Sequence, residues 1–361
     1  MSAFIRPDAA TVLREPRVRN SLPHYIDVLE GKRTPKFMTL RNIPAVFNQN
    51  DSMEKLWELH NRLLTDYFSK EKTINLKPES NSFDNGNSFL DLKVELAHRV
   101  LASCHLCPRR CGANRANGDK GWCRLTGDFH LSSAFLHMGE EPELVPSGTI
   151  FTIGCNMRCL HCQNWTISQQ FESGTRLNPL QMANYAEQLA AAGCRNINMV
   201  GGDPTPWLWN WLETFKHVAK PVPTVWNTNT YYSKESAQLL AEFVDVYLLD
   251  FKYGNNACAE RISSAPNYVE VCQRNHLLAK RFGELIIRVL VLPGHVECCC
   301  KPILEWIADN LGRDTRVNLM WQYRPEWRAS EVPELNRRLD QNEKNRTIEI
   351  AESIGLRNYI T

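Results

Sequence analysis

No stretch of the chain stays apolar for the roughly 18 residues that a membrane-crossing helix needs. The opening "MSAFIRPDAATVLREPRVRN" also lacks the apolar core of a secretory signal. A cytoplasmic location without a membrane partner is therefore expected. An excess of either charge is missing too: 42 Lys and Arg stand against 40 Asp and Glu, a formal net charge of +2. So even a balance gives no global pull toward nucleic acid or anionic lipid. Low-complexity tracts are absent, and 43% hydrophobic with 23% charged residues is a globular composition. A chain of 361 residues can bury a sizeable core, as one large domain or two ordinary ones.

Cysteine, by contrast, is plentiful, with 13 in the chain. An odd count in a reducing compartment, in a chain too long to need staples, argues against disulfides. Seven fall in two tight groups: Cys104, Cys107, Cys111 and Cys123, then Cys155, Cys159 and Cys162. Clustered thiols in such a setting point to soft-metal ligation.

The two groups occupy different parts of the chain. Residues 1–50 carry Pro, Arg and Asn with weak periodicity, which predicts an irregular arm lying on the main body. Helical spacing predicts one helix over 52–69, behind Asp51 and Ser52, and another over about 89–102. The Ser-, Asn- and Gly-rich 78–88 reads as a linker. From about 149 onward, apolar β-branched runs at 149–153, 195–201, 222–228, 244–251, 285–291 and 316–321 alternate with helical patterns. The helices are expected near 178–193, 207–219, 233–242, 267–282, 297–311 and 332–353. Six strand-then-helix units imply an α/β fold with a parallel sheet, a partial TIM-like (β/α)6 barrel. No Gly-x-Gly-x-x-Gly follows any of these strands, so dinucleotide binding has no support. The expected divisions are a helical or irregular extension over 1–90, a four-cysteine metal-binding segment over 91–145, the barrel over 146–325 and a C-terminal helix over 326–361.

Chemically distinctive residues cluster just after the predicted strands, where a parallel barrel builds its active site. They are "GCNMRCLHCQNW", "GGDP" at 201–204, "NTN" at 227–229 and "DFK" at 250–252. Cys155, Cys159 and Cys162 supply three thiolates, whereas a cubane [4Fe–4S] cluster has four irons to ligate. Three ligands leave one iron open for substrate, as catalytic metal sites do. Two alternatives stand beside this: a coincidental cysteine stripe on one helix face, and a tetrahedral zinc site with His161 as fourth ligand.

On these motifs the chain resembles the radical SAM superfamily, whose hallmark is C-x3-C-x-Φ-C with an aromatic Φ. "GGDPTP" is similar to the GGEP segment that meets the amino group of the S-adenosylmethionine (SAM) methionine. "DFK" is similar to the D-x-K of glycyl-radical activating enzymes. Together with "CHLCPRRCGANRANGDKGWC", "VWNTN", "YLLDFKYG", "LVLPGHVECC" and "LMWQY", these resemble the PflX-type relatives of pyruvate formate-lyase activating enzyme, over about residues 95–325. The resemblance implies a radical SAM barrel in which Cys155, Cys159 and Cys162 hold a [4Fe–4S] cluster completed by SAM. One electron into the sulfonium would give methionine and a 5′-deoxyadenosyl radical, which abstracts hydrogen from substrate. It further implies that Gly201, Gly202 and Asp203 face the SAM amino group. Asn229, Asp250 and Lys252 would lie around its carboxylate or ribose, and Arg288 would neutralise carboxylate. The substrate would be a protein or peptide such as a glycyl-radical-type partner, with flavodoxin or ferredoxin as electron donor. Two positions depart from the pattern. Asp203 is shorter than the usual Glu, and His161 fills the aromatic slot, where its titration would add pH dependence. Without the resemblance, Asp250 and Lys252 are an i, i+2 pair on one strand face, and Arg288 is an ordinary ion-pair partner.

Upstream, Cys104, Cys107, Cys111 and Cys123 offer a complete tetrahedral shell, either structural zinc or a second iron–sulfur cluster. Arg109, Arg110 and Arg115 would suit RNA, but a near-neutral chain favours a solvated face or hydrogen bonds to sulfur. Cys298, Cys299 and Cys300 are consecutive in a predicted helix, where neighbours point about 100° apart and do not readily grip one ion, so burial is expected. Cys194, Cys258 and Cys272 stand alone and read as core, and Trp207, Trp209 and Trp211 as packing. The competing class is a non-catalytic metal protein whose barrel binds RNA or protein.

Overall fold

A computed structural model describes residues 6–71, 86–170, 172 and 174–361. Its strands are β1 Phe129–His137, β2 Ser147–Thr152, β3 Thr175–Leu177, β4 Asn196–Gly201, β5 Thr224–Thr228, β6 Val246–Phe251, β7 Glu284–Leu290, β8 Arg316–Met320 and β9 Tyr359–Ile360. They form one sheet in the order β3-β1-β2-β4-β5-β6-β7-β8-β9. The strands anticipated from the apolar runs, β2 and β4 to β8, pair in parallel in chain order. Helices Pro179–Ala191, Leu208–His217, Lys234–Leu240, Asn256–Ser263, Tyr268–Phe282 and Lys301–Asn310 return the chain between them. The result is an α/β fold with a mostly parallel sheet, whose middle strands are apolar because both faces are covered. Trp207 and Trp211 are fully buried in its core.

The sheet runs past both expected barrel boundaries. Antiparallel β1, before residue 146, extends it and carries antiparallel β3 on its outer edge, and β9 pairs in parallel with β8 after residue 325. The C-terminal helix, expected from 332, spans Gln341–Ser353 instead. Pro333 opens a separate 3-10 turn, and Asp340 with Glu343 forms the capping box that starts the helix. The predicted helices near 52–69 and 89–102 span Met53–Glu71 and Phe89–Ala102. Of the expected linker, 78–85 lies outside the described residues. Among the described residues no helix is long and apolar enough to cross a membrane.

The anticipated irregular arm is a series of short helices, Pro7–Thr11, Pro16–Ser21, Pro23–Leu29 and Lys36–Arg41. Three begin with proline, whose missing N–H is no loss at a helix start. Val18, Leu22, Tyr25 and Ile26 pack against Val225, Val246 and Ile286, near the N-terminal ends of β5, β6 and β7. Tyr25 N–H donates to Glu284 at 2.9 Å, and Lys36 N–H to Asp245 at 3.0 Å. The arm thus closes the bottom of the barrel. Above it, the segment after β1 sends Glu140, Glu141 and Glu143 inward to meet Arg288 on β7 and Arg316 on β8. Only the C-terminal strand ends are left to form a mouth.

Glu143 is fully buried and accepts from Arg316 at 2.7 and 3.1 Å. Removing one partner of such a pair strands a charge, which costs about 3–5 kcal/mol, while an apolar replacement of both is close to neutral. Urea unfolding should show that loss in Arg316→Met and recover most of it in Arg316→Met/Glu143→Leu. Lys93, also fully buried, has its pKa pushed down to about 7 by burial. Between that value and its ordinary pKa the unfolded chain binds a proton that the folded one has released. Stability should therefore rise with pH across this window, by about 1.4 kcal/mol per unit. A Lys93→Met protein followed by denaturant titration should lack that rise.

Candidate functional site

The cysteine loop leaves β2 through Gly154, at a φ of +83° that other residues adopt only with strain. A β-carbon there would also fall 2.4 Å from Leu125. The loop is not helical, so the three cysteines do not form a stripe on one helix face. Backbone bonds fix its path: Gly154 N–H to Ile167 O at 2.8 Å, Arg158 N–H to Ser263 O at 3.0 Å and Leu160 N–H to Ile262 O at 2.9 Å. Cys155 and Cys159 are buried and Cys162 half-buried. All three border a cavity of about 210 Å³ at the mouth of the barrel.

Each sulfur has a polar neighbour. Met157 N–H and Asn229 Nδ2 donate to Cys155 Sγ at 3.4 and 3.5 Å, and Ser168 Oγ lies 3.0 Å from Cys162 Sγ. A hydrogen bond from Ser263 reaches Cys159. Burial, then Asp203, lifts the Cys155 pKa well above its ordinary value. Burial and Cys162 push Cys159 up to about 11. Thiolates at such positions call for a cation to neutralise them, and hydrogen bonds to sulfur are what tune a bound cluster. The residues present fit an iron–sulfur group.

Gly201, Gly202, Asp203, Asn229, Asp250, Lys252, Arg288 and His161 border the same cavity. Gly202 N–H and Asp203 N–H bond Thr152 O and Gly154 O, each at 2.9 Å. The Asp203 carboxylate is buried and accepts from Thr205 N–H at 2.9 Å and from Thr228 Oγ and Asn229 N–H at 2.8 Å each. Burial raises its pKa despite those donors. It therefore ties the ends of β4 and β5 together. Lys252 Nζ meets Asp250 at 2.5 Å. Burial disfavours its ammonium, but Asp250 and Cys159 outweigh that and hold its pKa above the ordinary value.

One expectation changes here, the titration of His161. His161 is buried, its Nε2 lies 2.9 Å from Tyr253 Oη, and burial with Lys252 lowers its pKa to about 3. It is neutral at physiological pH and adds no titration there. Arg288 gives two 2.7 Å bonds to Glu141, contacts Glu140 and reaches Asn227 at 3.2 Å. Its charge is matched inside the barrel.

The upstream segment meets this loop: Arg158 donates to Trp122 O at 2.8 Å, and Leu125 lies where a side chain at Gly154 would begin. Cys111 and Cys123 sulfurs flank Gly121, whose β-carbon would sit 3.4 and 3.3 Å from them. Burial pushes Cys107 up to about 12. The basic residues around the quartet are occupied. Arg115 is buried and donates to Leu125, Pro206 and Thr126 carbonyls at 3.1, 2.9 and 2.8 Å. Arg110 pairs with Glu235 at 3.0 Å, and Arg109 lies 3.7 Å over Trp122. Among the described residues, the group of three or more ligand atoms all within 4.8 Å of one another is Cys258, His295, Cys298 and Cys299. That corrects the readings of Cys258 as a core cysteine standing alone and of Cys298 as buried, since Cys298 is exposed. It also brings together Cys298 and Cys299, two neighbours not expected to grip one ion readily. Cys272 and Cys300 are buried, as expected, and Cys194 is half-buried.

Several site residues carried no sequence signal. Tyr253, one position past "DFK", bridges His161 and Ser263 Oγ, the latter at 2.6 Å. Asn156 is adjacent to Cys155 and accepts from Asn229 at 2.7 Å. Glu140 and Glu141 are far from Arg288 in the chain. If Asp203 is the tie described, Asp203→Ala leaves three donors unmatched. Urea unfolding should show a loss of about 3 kcal/mol, against about 1 or less for Thr205→Ala, which keeps the backbone donor.

Residues 149–307 match the model of the Radical SAM superfamily. An uncharacterised protein of Methanocaldococcus jannaschii, MJ0674, is 41% identical over 345 residues, which cover 93% of this chain and 98% of that one. A second from the same organism, MJ0808, is 26% identical over 253 residues, covering 64% and 73%. Solved structures are more distant. SuiB of Streptococcus suis bound to S-adenosylmethionine aligns at a TM-score of 0.42 and 14% identity, over 57% of this chain and 48% of that one. TYW1 with a lysine–pyruvate adduct aligns at 0.35 and 14%, over 57% and 73%. The chain spans about half the length of the SuiB chain it aligns with. With a relative matched along nearly its whole length and the superfamily model matched across the cysteine loop and most of the sheet, the chain belongs to the radical SAM superfamily.

Proposed function

We propose that the protein is a radical SAM enzyme whose Cys155, Cys159 and Cys162 hold a [4Fe–4S] cluster and whose substrate is a polypeptide. When bound, the cluster and SAM together supply methionine and a 5′-deoxyadenosyl radical for hydrogen abstraction. One observation carries the cluster site: three thiols, each with its own hydrogen-bonding neighbour, border one cavity with the ends of five parallel strands.

The chain's own residues divide the remaining work. Asn229 orients the Cys155 sulfur while Asp203 fixes Asn229. Lys252, kept charged by Asp250, and Arg288, held by Glu140 and Glu141, are cations bordering the cavity that a carboxylate there would meet. His161 and Tyr253 form a neutral wall, which helps keep water from the radical. The finer target, suggested by the resemblance of Asp250-Phe251-Lys252, is a glycyl-radical-type partner protein, with a flavodoxin or ferredoxin as reductant. Cys104, Cys107, Cys111 and Cys123 would hold structural zinc or a second cluster. Metal analysis after replacing Cys155, Cys159 and Cys162 by Ala distinguishes the two.

The test is anaerobic. Protein reconstituted with iron and sulfide, reduced with dithionite and given SAM should release 5′-deoxyadenosine and methionine in equal amounts. Cys159→Ala should fall to the level of a protein-free control. Persistent turnover in that variant would remove this loop from the mechanism.

A further inference from the structure

Behind the wall formed by Tyr253, two loops converge that the proposed chemistry does not use. Cys258 lies in the first turn of helix Asn256–Ser263, after β6. His295, Cys298 and Cys299 follow β7, where the chain winds a π-helical turn over Val296–Cys300. In that turn, Cys299 N–H and Cys300 N–H both donate to His295 O, at 3.0 and 3.1 Å. The wider turn alters the spacing an α-helix would impose, and such turns are frequent at functional sites. As a result two consecutive cysteines and the histidine present their ligand atoms to one point.

The separations suit a single ion. His295 Nδ1 lies 3.3 Å from Cys298 Sγ, 3.5 Å from Cys258 Sγ and 4.0 Å from Cys299 Sγ. Cys298 Sγ and Cys299 Sγ are 3.9 Å apart. Tetrahedral zinc, with Zn–S near 2.3 Å and Zn–N near 2.05 Å, separates its ligands by about 3.8 Å for two sulfurs and about 3.6 Å for sulfur and nitrogen. Thiol hydrogen bonding explains the gathering poorly, because Nδ1 has one lone pair and three thiols compete for it. A disulfide between Cys298 and Cys299 would need the sulfurs near 2.05 Å.

The surroundings are those of a built site. Asn255 Nδ2 donates to Cys298 O at 2.8 Å and lies 3.6 Å from Cys299 Sγ, while its Oδ1 accepts from Cys258 N–H at 2.8 Å. One side chain thus locks both loops. His295 is buried, and its Nε2, which has no hydrogen-bond partner among the described residues, has the Glu334 carboxylate nearby at 3.6 Å. Arg261 holds Glu334 at 2.7 Å. Gly254 lets the first loop touch the second, since a β-carbon there would lie 2.4 Å from Cys299 O.

We propose that Cys258, His295, Cys298 and Cys299 bind a structural zinc ion that clamps the loop after β6 to the loop after β7. Four protein ligands close the shell, and the set of three thiolates with one imidazole is a structural zinc set. The clamp would act through Gly254 on the neighbouring Tyr253, and so brace the wall that His161 completes. Nothing in it depends on cleavage of SAM.

Full-length protein purified anaerobically should lose one equivalent of zinc in Cys258→Ala and in Cys298→Ala, and none in Cys194→Ala or Cys300→Ala. His295→Cys, a four-thiolate set, should keep the ion. A soluble Cys298→Ala protein with undiminished zinc overturns the proposal, as does iron in its place. Should the site variants fail to fold, wild-type protein still decides the matter by alkylation and peptide mass. Cys298 is solvent-exposed, so it should resist iodoacetamide as isolated and react once a chelator has removed zinc. Immediate labelling without chelator, or a mass showing a disulfide among these cysteines, overturns it equally.

Discussion

The oxygens of Thr152 and Gly154 stand where side chains at 201 and 202 would begin, 2.1 and 2.0 Å from the ideal β-carbon positions. Only glycine permits that approach, and much of the mouth is built outward from it. With β4 pressed against the root of the cysteine loop, Asp203 N–H reaches Gly154 O and the Asp203 carboxylate turns toward Thr228 and Asn229. Asn229 then lies within reach of Cys155 Sγ. A chain of short polar contacts runs from a backbone junction between two strands to a ligand sulfur. Its geometry is set by strand ends, the most rigid elements available, and not by the loop alone.

That chain explains what sequence could and could not convey. The parallel strands were legible because strands covered on both faces are rich in apolar and β-branched residues, and the runs near 149, 195, 222, 244, 285 and 316 recur at regular intervals between helical patterns. The cysteine spacing was legible because it is local. Asp203 was visible as a residue of interest, but its hydrogen bonds to Thr228 and Asn229 span 25 and 26 positions. Nothing in "GGDP" distinguishes a carboxylate that meets a ligand from one that ties two strands. The partners of Arg288 were hidden for the same reason: its carboxylates lie 148 and 147 positions away. The gathering of Cys258 with Cys298 and Cys299 was hidden twice over, by its range and by a π turn that an α-helical expectation of 100° per residue rules out.

Charge is distributed along the barrel axis in a way that separates stability from chemistry. At the bottom and middle, Glu284, Asp245, Glu143, Glu141 and Glu140 are met by the N-terminal arm and by Arg316 and Arg288, so their fields are compensated within the fold. At the mouth the cavity is bordered by a lysine–aspartate pair, the buried Asp203, a neutral histidine and the cysteine thiols, of which Cys155 and Cys159 have raised pKa values. A buried anionic group is tolerated there only if a cation arrives with it. This is the electrostatic form of a site that stays incomplete until metal and ligand are bound.

The junction between the two cysteine groups follows the same logic. Arg109 and Arg158 stand over one indole, at 3.7 and 4.1 Å from the Trp122 ring, although like charges repel and burial lowers both pKa values. Thiolate relieves this from either side: Cys107 and Cys155 favour the Arg109 cation, and Cys155 and Cys123 favour that of Arg158. Two partly buried guanidiniums in contact with one ring are hard to sustain between neutral thiols. Backbone carbonyls take part of the load, Arg158 donating to Cys155, Met157 and Trp122 oxygens and Arg109 to that of Asn156. A nearby thiolate would stabilise both cations further. Each guanidinium lies near cysteines of both groups, so a thiolate formed in either group would face the same pair of cations.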